Sequence, residues 1–174
     1  SDEVYLSIIQ EQEPDFSEQF CEGVSIDDLD NEAIEILKDK YAKKQKNPSF
    51  RSLENYQALS DLGLIFQGKV TNAAVILVGK KDIINSKYPQ AKISLEYRTG
   101  ESNIHFDAPE FFDGPYYIMI DKLWAAINSR NGSVPVRNGI YKDYDIPLFN
   151  EGVIREALNN AIAHRAYDIQ GEIV

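Results

Sequence analysis

Metal-binding and disulfide chemistry are largely excluded by what the sequence lacks: it holds one cysteine, Cys21, and two histidines, His105 and His164. A lone thiol has no intramolecular partner, and without clustered Cys or His there is no ligand set for a structural zinc. No apolar run approaches the roughly 20 residues that span a bilayer, and the N-terminal stretch lacks the basic, apolar and small-residue blocks of a secretory signal. These absences lead to the expectation of a cytoplasmic protein that makes no membrane contact. Cations are also scarce. Lys and Arg number 18 against 28 Asp and Glu, a formal charge of -10, which opposes binding to phosphate backbones because cationic side chains drive counterion release. One basic run, Lys38, Lys40, Lys43, Lys44, Lys46 and Arg51, departs from this balance. At the end of a helix, where cations suit the dipole, it reads as a solvated terminus.

What is present suffices for a core. Apolar residues make up 43% of 174, and a chain of this length buries roughly 70% of its extended surface on folding. Val4, Ile8 and Ile9 suggest a short helix over residues 3–12, before the acidic stretch Glu11 to Asp15. Ser25 to Asp30 is rich in capping residues, and Ala33, Ile34, Leu37 and Tyr41 then hold one apolar stripe to about Lys46. Asn47-Pro48 breaks that helix; Ser52 opens a second, with Leu53, Tyr56 and Leu59 on one face, and Gly63 stops it. Leu64 to Phe66 reads as a strand and Gln67-Gly68-Lys69 as a turn. The apolar run Ala73 to Val78 fits either a strand or a buried helix.

Ala91 to Arg98 alternates like a strand. Pro115 sits at a helix start, with Ile118, Leu123, Trp124 and Ile127 forming its apolar face. Val134 to Arg137 and Ile140 to Tyr144 flank Asn138-Gly139, whose tolerance of positive φ predicts a type I′ hairpin ended by Asp145-Ile-Pro147. A last helix runs from Asn150 to about Arg165, with Val153, Ile154, Ala157, Leu158, Ala161 and Ile162 turned inward. The expected fold class is therefore α+β. Helix, helix and strand pair in this order also match a winged helix, but the second helix carries Glu54, Gln57 and Asp61 and no Lys or Arg to meet phosphates. A small packing module is the plainer alternative. An enzyme built on His105, Asp107 or His164 lacks a nucleophile at an elbow or a glycine-rich loop.

The last helix carries the candidate chemistry. At 3.6 residues per turn, Glu156, Asn160 and His164 form one stripe along the border of its polar and apolar faces. A carboxylate, a carboxamide and an imidazole at such steps can orient water, offer oxygen to a hard cation and touch a phosphate. Any amphipathic helix also has polar residues at this spacing, and a histidine near a helix C-terminus often serves only the dipole.

Residues 153–171, VIREALNNAIAHRAYDIQG, resemble the segment REALxNAxxHRDYxxxG of a family of bacterial transcriptional regulators often described as related to the RecG helicase. In that family a Schlafen or AlbA-like domain precedes a connector. The connector precedes an ATPase-like module of the GHKL type, similar to those of histidine kinases, gyrase and heat-shock chaperones. Upstream, GVSIDDLD at 23–30 resembles the family's acidic entry to the connector, and LGLIFQGKVTNAAVILVGK at 62–80 its LGLL, TNAG and LFGK elements. Tyr88-Pro-Gln-Ala91 and Gly114-Pro115 also fall where the family has them. The resemblance implies a leader over 1–22, an α+β connector over 23–108, and over 109–174 the incomplete start (helix, hairpin, helix) of a GHKL-like α/β sandwich. It implies Glu156 as general base and Asn160 as magnesium ligand, with Asn160, His164 and Arg165 on the nucleotide side. Ala166 stands where the family pattern has Asp, so no carboxylate role carries over there. The implied cofactors are ATP and magnesium in a longer parent; the glycine-rich and acidic boxes of such a site are absent here, so this chain alone is expected to bind neither. DNA is the implied partner, through an upstream domain. Pairing between copies through residues 169–174, at an open sheet edge, is a further expectation.

Overall fold

In the computed structural model, residues 15–97, 108–138 and 141–167 are described. The expected helix at 3–12, the His105 and Asp107 pair, Arg98, Gly139 and the 169–174 edge lie outside them. The fold class is α+β: six α-helices and three two-stranded antiparallel sheets among the described residues.

Helix α1 (Asn31–Gln45) begins where the acidic entry predicts. The Asp30 carboxylate accepts from the Ala33 amide at 3.0 Å, while Ser25 and Asp28 cap each other one turn earlier. Lys46 ends it in the left-handed region at φ 52°. Its inner stripe includes Ala33, Ile34 and Leu37 and also takes in Lys38, only 4% exposed. That charge is tolerated because its Nζ donates to Glu35 at 2.8 Å and to Asn55 Oδ1 at 3.2 Å.

The second helix, α2 (Asn55–Asp61), starts three residues later than Ser52, because Pro48–Ser52 forms a 3-10 turn instead. Tyr56 points outward rather than onto the buried face, which is made by Ala58 and Leu59. Strands β1 (Ile65–Phe66) and β2 (Lys69–Val70) then meet across Gln67 and Gly68, both at positive φ as a type I′ turn requires.

The ambiguous run is a helix, α3 (Asn72–Val78). Thr71 caps it by accepting from the Ala74 amide, and Ala74, Val75, Ile76 and Val78 are all buried. A helix apolar all round has no periodicity to read, and its β-branched content is overridden by a central position against α1. Helix α4 (Lys81–Lys87) follows directly. Strand β3 (Ile93–Leu95) is shorter than the alternation over 91–98 suggests and pairs with β4 (Glu110–Phe112).

Helix α5 (Tyr116–Ser129) starts at Pro115 and buries Met119, Ile120, Leu123 and Ile127; it packs against both α1 and α3. Ile118 and Trp124 are half-buried at the edge of that face. The hairpin β5 (Ser133–Asn138) and β6 (Tyr141–Pro147) is present, with two differences. Asn138 is itself a strand residue opposite Tyr141, with a register shift after Val136, so it is not a loop residue. Pro147 extends the second strand by pairing with Ser133 instead of ending it. Helix α6 (Glu151–Ala163) closes the described chain. No helix among the described residues is long and apolar enough to cross a membrane.

Candidate functional site

Helix α6 is held by both ends and by one face. Asn131, just past α5, donates to the Phe149 carbonyl and accepts from its amide, both at 2.9 Å, fixing the exit from the hairpin. Asn150 then caps α6 by accepting from the Val153 amide at 3.3 Å. Arg155 donates to Asp121 of α5 at 2.8 Å and to Glu151 at 2.7 Å. Tyr116, at the start of α5, donates its hydroxyl to Asn159. Ile154, Leu158 and Ile162 face the interior between these polar clamps.

The outer face of α6 differs from expectation. Val153, Ala157 and Ala161, read as inward, are exposed, Val153 to 63%. The apolar stripe covers more than half the helix circumference, and α5 buries only the half containing Ile154, Leu158 and Ile162. Glu156 and Asn160 lie with those exposed residues, one turn apart, and are not enclosed by the core. His164 is the exposed C-cap; its amide donates to the Asn160 carbonyl at 2.9 Å. Arg165 is half-buried and turned toward Tyr167, away from the Glu156 side. Glu156 and Asn160 are thus brought together, whereas Arg165 belongs to another surface. A carboxamide oxygen and an exposed carboxylate suit a magnesium ion that keeps most of its water. Among the described residues no three His, Cys, Asp or Glu side chains converge into a metal cluster.

Sequence reasoning missed Asn159, Tyr116 and Arg155. The i,i+4 spacing of Glu151 and Arg155 was a usable signal; the contact of Asn159 with Tyr116 has no local one. These residues border two adjoining clefts on the inner side of α6. The first, about 330 Å³, opens between α1, α5 and α6 beside Lys40, Lys44 and Arg155. The second, about 570 Å³, lies between α3, the start of α5 and the end of α6, beside Phe16, Leu77 and Arg165. Tyr116, Tyr117 and Asn159 line both. Burial pushes the Tyr116 hydroxyl up to about 12, so it stays a neutral donor.

Asp121 joins α1 to α6 by accepting from Lys40 at 3.1 Å and Arg155 at 2.8 Å. Burial raises its carboxyl, but the hydrogen bonds from Arg155 and Lys40 outweigh that and hold it below the ordinary 3.8. An unfolded chain therefore takes up this proton first. The stability Asp121 contributes is complete above about pH 4 and is lost as pH falls through the lower folded value. Asp121→Asn is expected to flatten the acid limb of Tm measured from about pH 5 down to about pH 2; an acid limb of unchanged slope contradicts this.

The fold is similar to that of the DIP2311 protein from Corynebacterium diphtheriae, a crystal structure matched at a TM-score of 0.70 and 16% identity. The match covers 97% of this chain and 32% of that one, so the chain spans about a third of its neighbour's length. At this identity the likeness speaks for the fold alone. No curated protein matches the chain. The sequence matches one family over residues 6–94, a stretch running from ahead of α1 through β3, and the chain therefore belongs to the family described as Domain of unknown function (DUF8451).

Proposed function

We propose that this chain is the connector and one wall of an ATPase-like module in a bacterial transcriptional regulator, with an incomplete nucleotide site of its own. The observation that carries the reading is the outer face of α6. Glu156 and Asn160 stand one turn apart and exposed on a helix whose opposite face is clamped to α5. A rigid scaffold on one side and an uncovered polar pair on the other is the arrangement a cleft wall needs. The adjoining apolar surface agrees: Val134, Tyr144 and Ile146 are exposed on one face of the hairpin, and Val153 is exposed beside Glu156. Surface of this kind calls for a cover.

In this reading Glu156 accepts the proton of an attacking water and Asn160 offers its carboxamide oxygen to magnesium. ATP and magnesium bind only where further residues supply the opposite wall, and DNA is engaged by another domain. The module is cytoplasmic and works within a larger assembly, in which copies pair. The winged-helix alternative is less favoured, since α2 presents no Lys or Arg and β1 and β2 have two residues each.

Calorimetric titration with magnesium and ATP tests the incompleteness. The 174 residues alone are expected to give no saturable heat, while a longer natural protein containing them binds. Micromolar binding by the chain alone would overturn the reading.

A further inference from the structure

The two clefts on the inner side of α6 share their floor, so they form one groove over Tyr116 and Tyr117. Its charge runs against that of the protein. Four cations, Lys40, Lys44, Arg155 and Arg165, line it against one carboxylate, Asp15, in a sequence with 18 Lys and Arg and 28 Asp and Glu. Asp15 accepts from the Ser17 amide at 3.3 Å and so caps its own turn. Asp121 offsets part of the charge of Lys40 and Arg155 and holds both heads in place. Lys44 is exposed and has no ion pair among the described residues.

The cations sit at the two ends: Lys40, Lys44 and Arg155 beside α1, and Arg165 beyond the end of α6. Between them lie the two tyrosines, with Ile76 and Leu77 below the wider part. Lys40 also stands over the Tyr117 ring at 5.9 Å from its centroid. We propose that this groove binds an acidic peptide segment in which carboxylates flank an aromatic or aliphatic side chain. Carboxylates would meet the two cationic ends, and the side chain between them would lie on the tyrosine floor.

A single-stranded nucleic acid suits the groove less well. Its charge is uniform along the strand, whereas the cations here are split by an uncharged middle, and the -10 background repels a polyanion over its whole length. An acidic protein with one local basic groove orients an acidic partner onto that groove and repels it elsewhere. Asn159 and Arg155 face a different side of α6 from Glu156 and Asn160, so this site and the nucleotide wall stand or fall separately.

The test is fluorescence polarisation with a labelled peptide of repeating Glu-Glu-Tyr, run on the wild-type chain, Lys44→Glu and Lys46→Glu. The two variants change net charge equally, and both residues are exposed near the end of α1, but only Lys44 lines the groove. The proposal predicts saturable, salt-sensitive binding. It also predicts about a tenfold loss in Lys44→Glu and less than about a twofold loss in Lys46→Glu. Equal losses in both variants, absence of wild-type binding, or tighter binding of a labelled oligothymidine than of the peptide would each overturn it. Glu156→Ala is expected to leave peptide binding unchanged, so loss of the nucleotide reading leaves this result intact.

Discussion

Leu123→Ala is expected to lower the unfolding free energy by about 3 kcal/mol, within the range of roughly 2–5 kcal/mol for large-to-small changes at closely packed sites. Leu123 lies on α5 and is 1% exposed. Its helix packs against both α1 and α3, so the cavity opens where three helices meet and no single one can move in to fill it. Domains of this size are stable by about 5–15 kcal/mol, so the loss is a large share of the total. Urea denaturation followed through Trp124, the sole tryptophan, reads it as a lower midpoint at constant slope. A loss below about 1 kcal/mol would mean that α5 is not the central element of the core.

In a longer natural protein that hydrolyses ATP, Glu156→Ala is expected to cut the rate by about 10²–10⁴-fold, the range a positioned general base contributes, while nucleotide affinity stays within a few-fold. Glu156 is exposed on α6 and makes no contact with the core, so its truncation leaves the fold intact and the rate change reports chemistry. Its neighbour Arg155, by contrast, joins α6 to α5 through Asp121, and its removal is expected to act through position. Equal hydrolysis by wild type and Glu156→Ala refutes the assigned role.

The legible parts of the fold are those whose signals are local. Helices α1, α5 and α6 announce themselves through Asp30, Pro115 and Asn150 at their starts and through apolar spacing on their inner faces. The hairpin is legible too, although the bulge after Val136 shifts its register. Helix α4 buries only Ile84, so it offers no stripe. Strand β4 exists through its pairing with β3 across intervening residues, a long-range contact that leaves no mark on three residues. The run at 73–78 was ambiguous because a helix surrounded by core needs no polar face.

The same division holds at the candidate site. Glu156 and Asn160 follow from spacing on one helix. The error over Val153, Ala157 and Ala161 came from assuming that every apolar residue of α6 has a neighbour within this chain. The groove floored by Tyr116 and Tyr117 was invisible because it joins α1, α3, α5 and α6, which only the tertiary packing brings together. The basic run at 38–51 likewise divides once folded. Lys38 is buried, Lys43 and Arg51 pair with Asp39, and Lys40 and Lys44 face the groove.

The most direct measurement is the structure of a longer natural protein with magnesium and a non-hydrolysable ATP analogue. The account predicts the ion within about 2.1 Å of the Asn160 carboxamide oxygen, with the terminal phosphate facing Glu156. A nucleotide seated on another surface, or the outer face of α6 sealed by protein with no ligand beside it, contradicts the account.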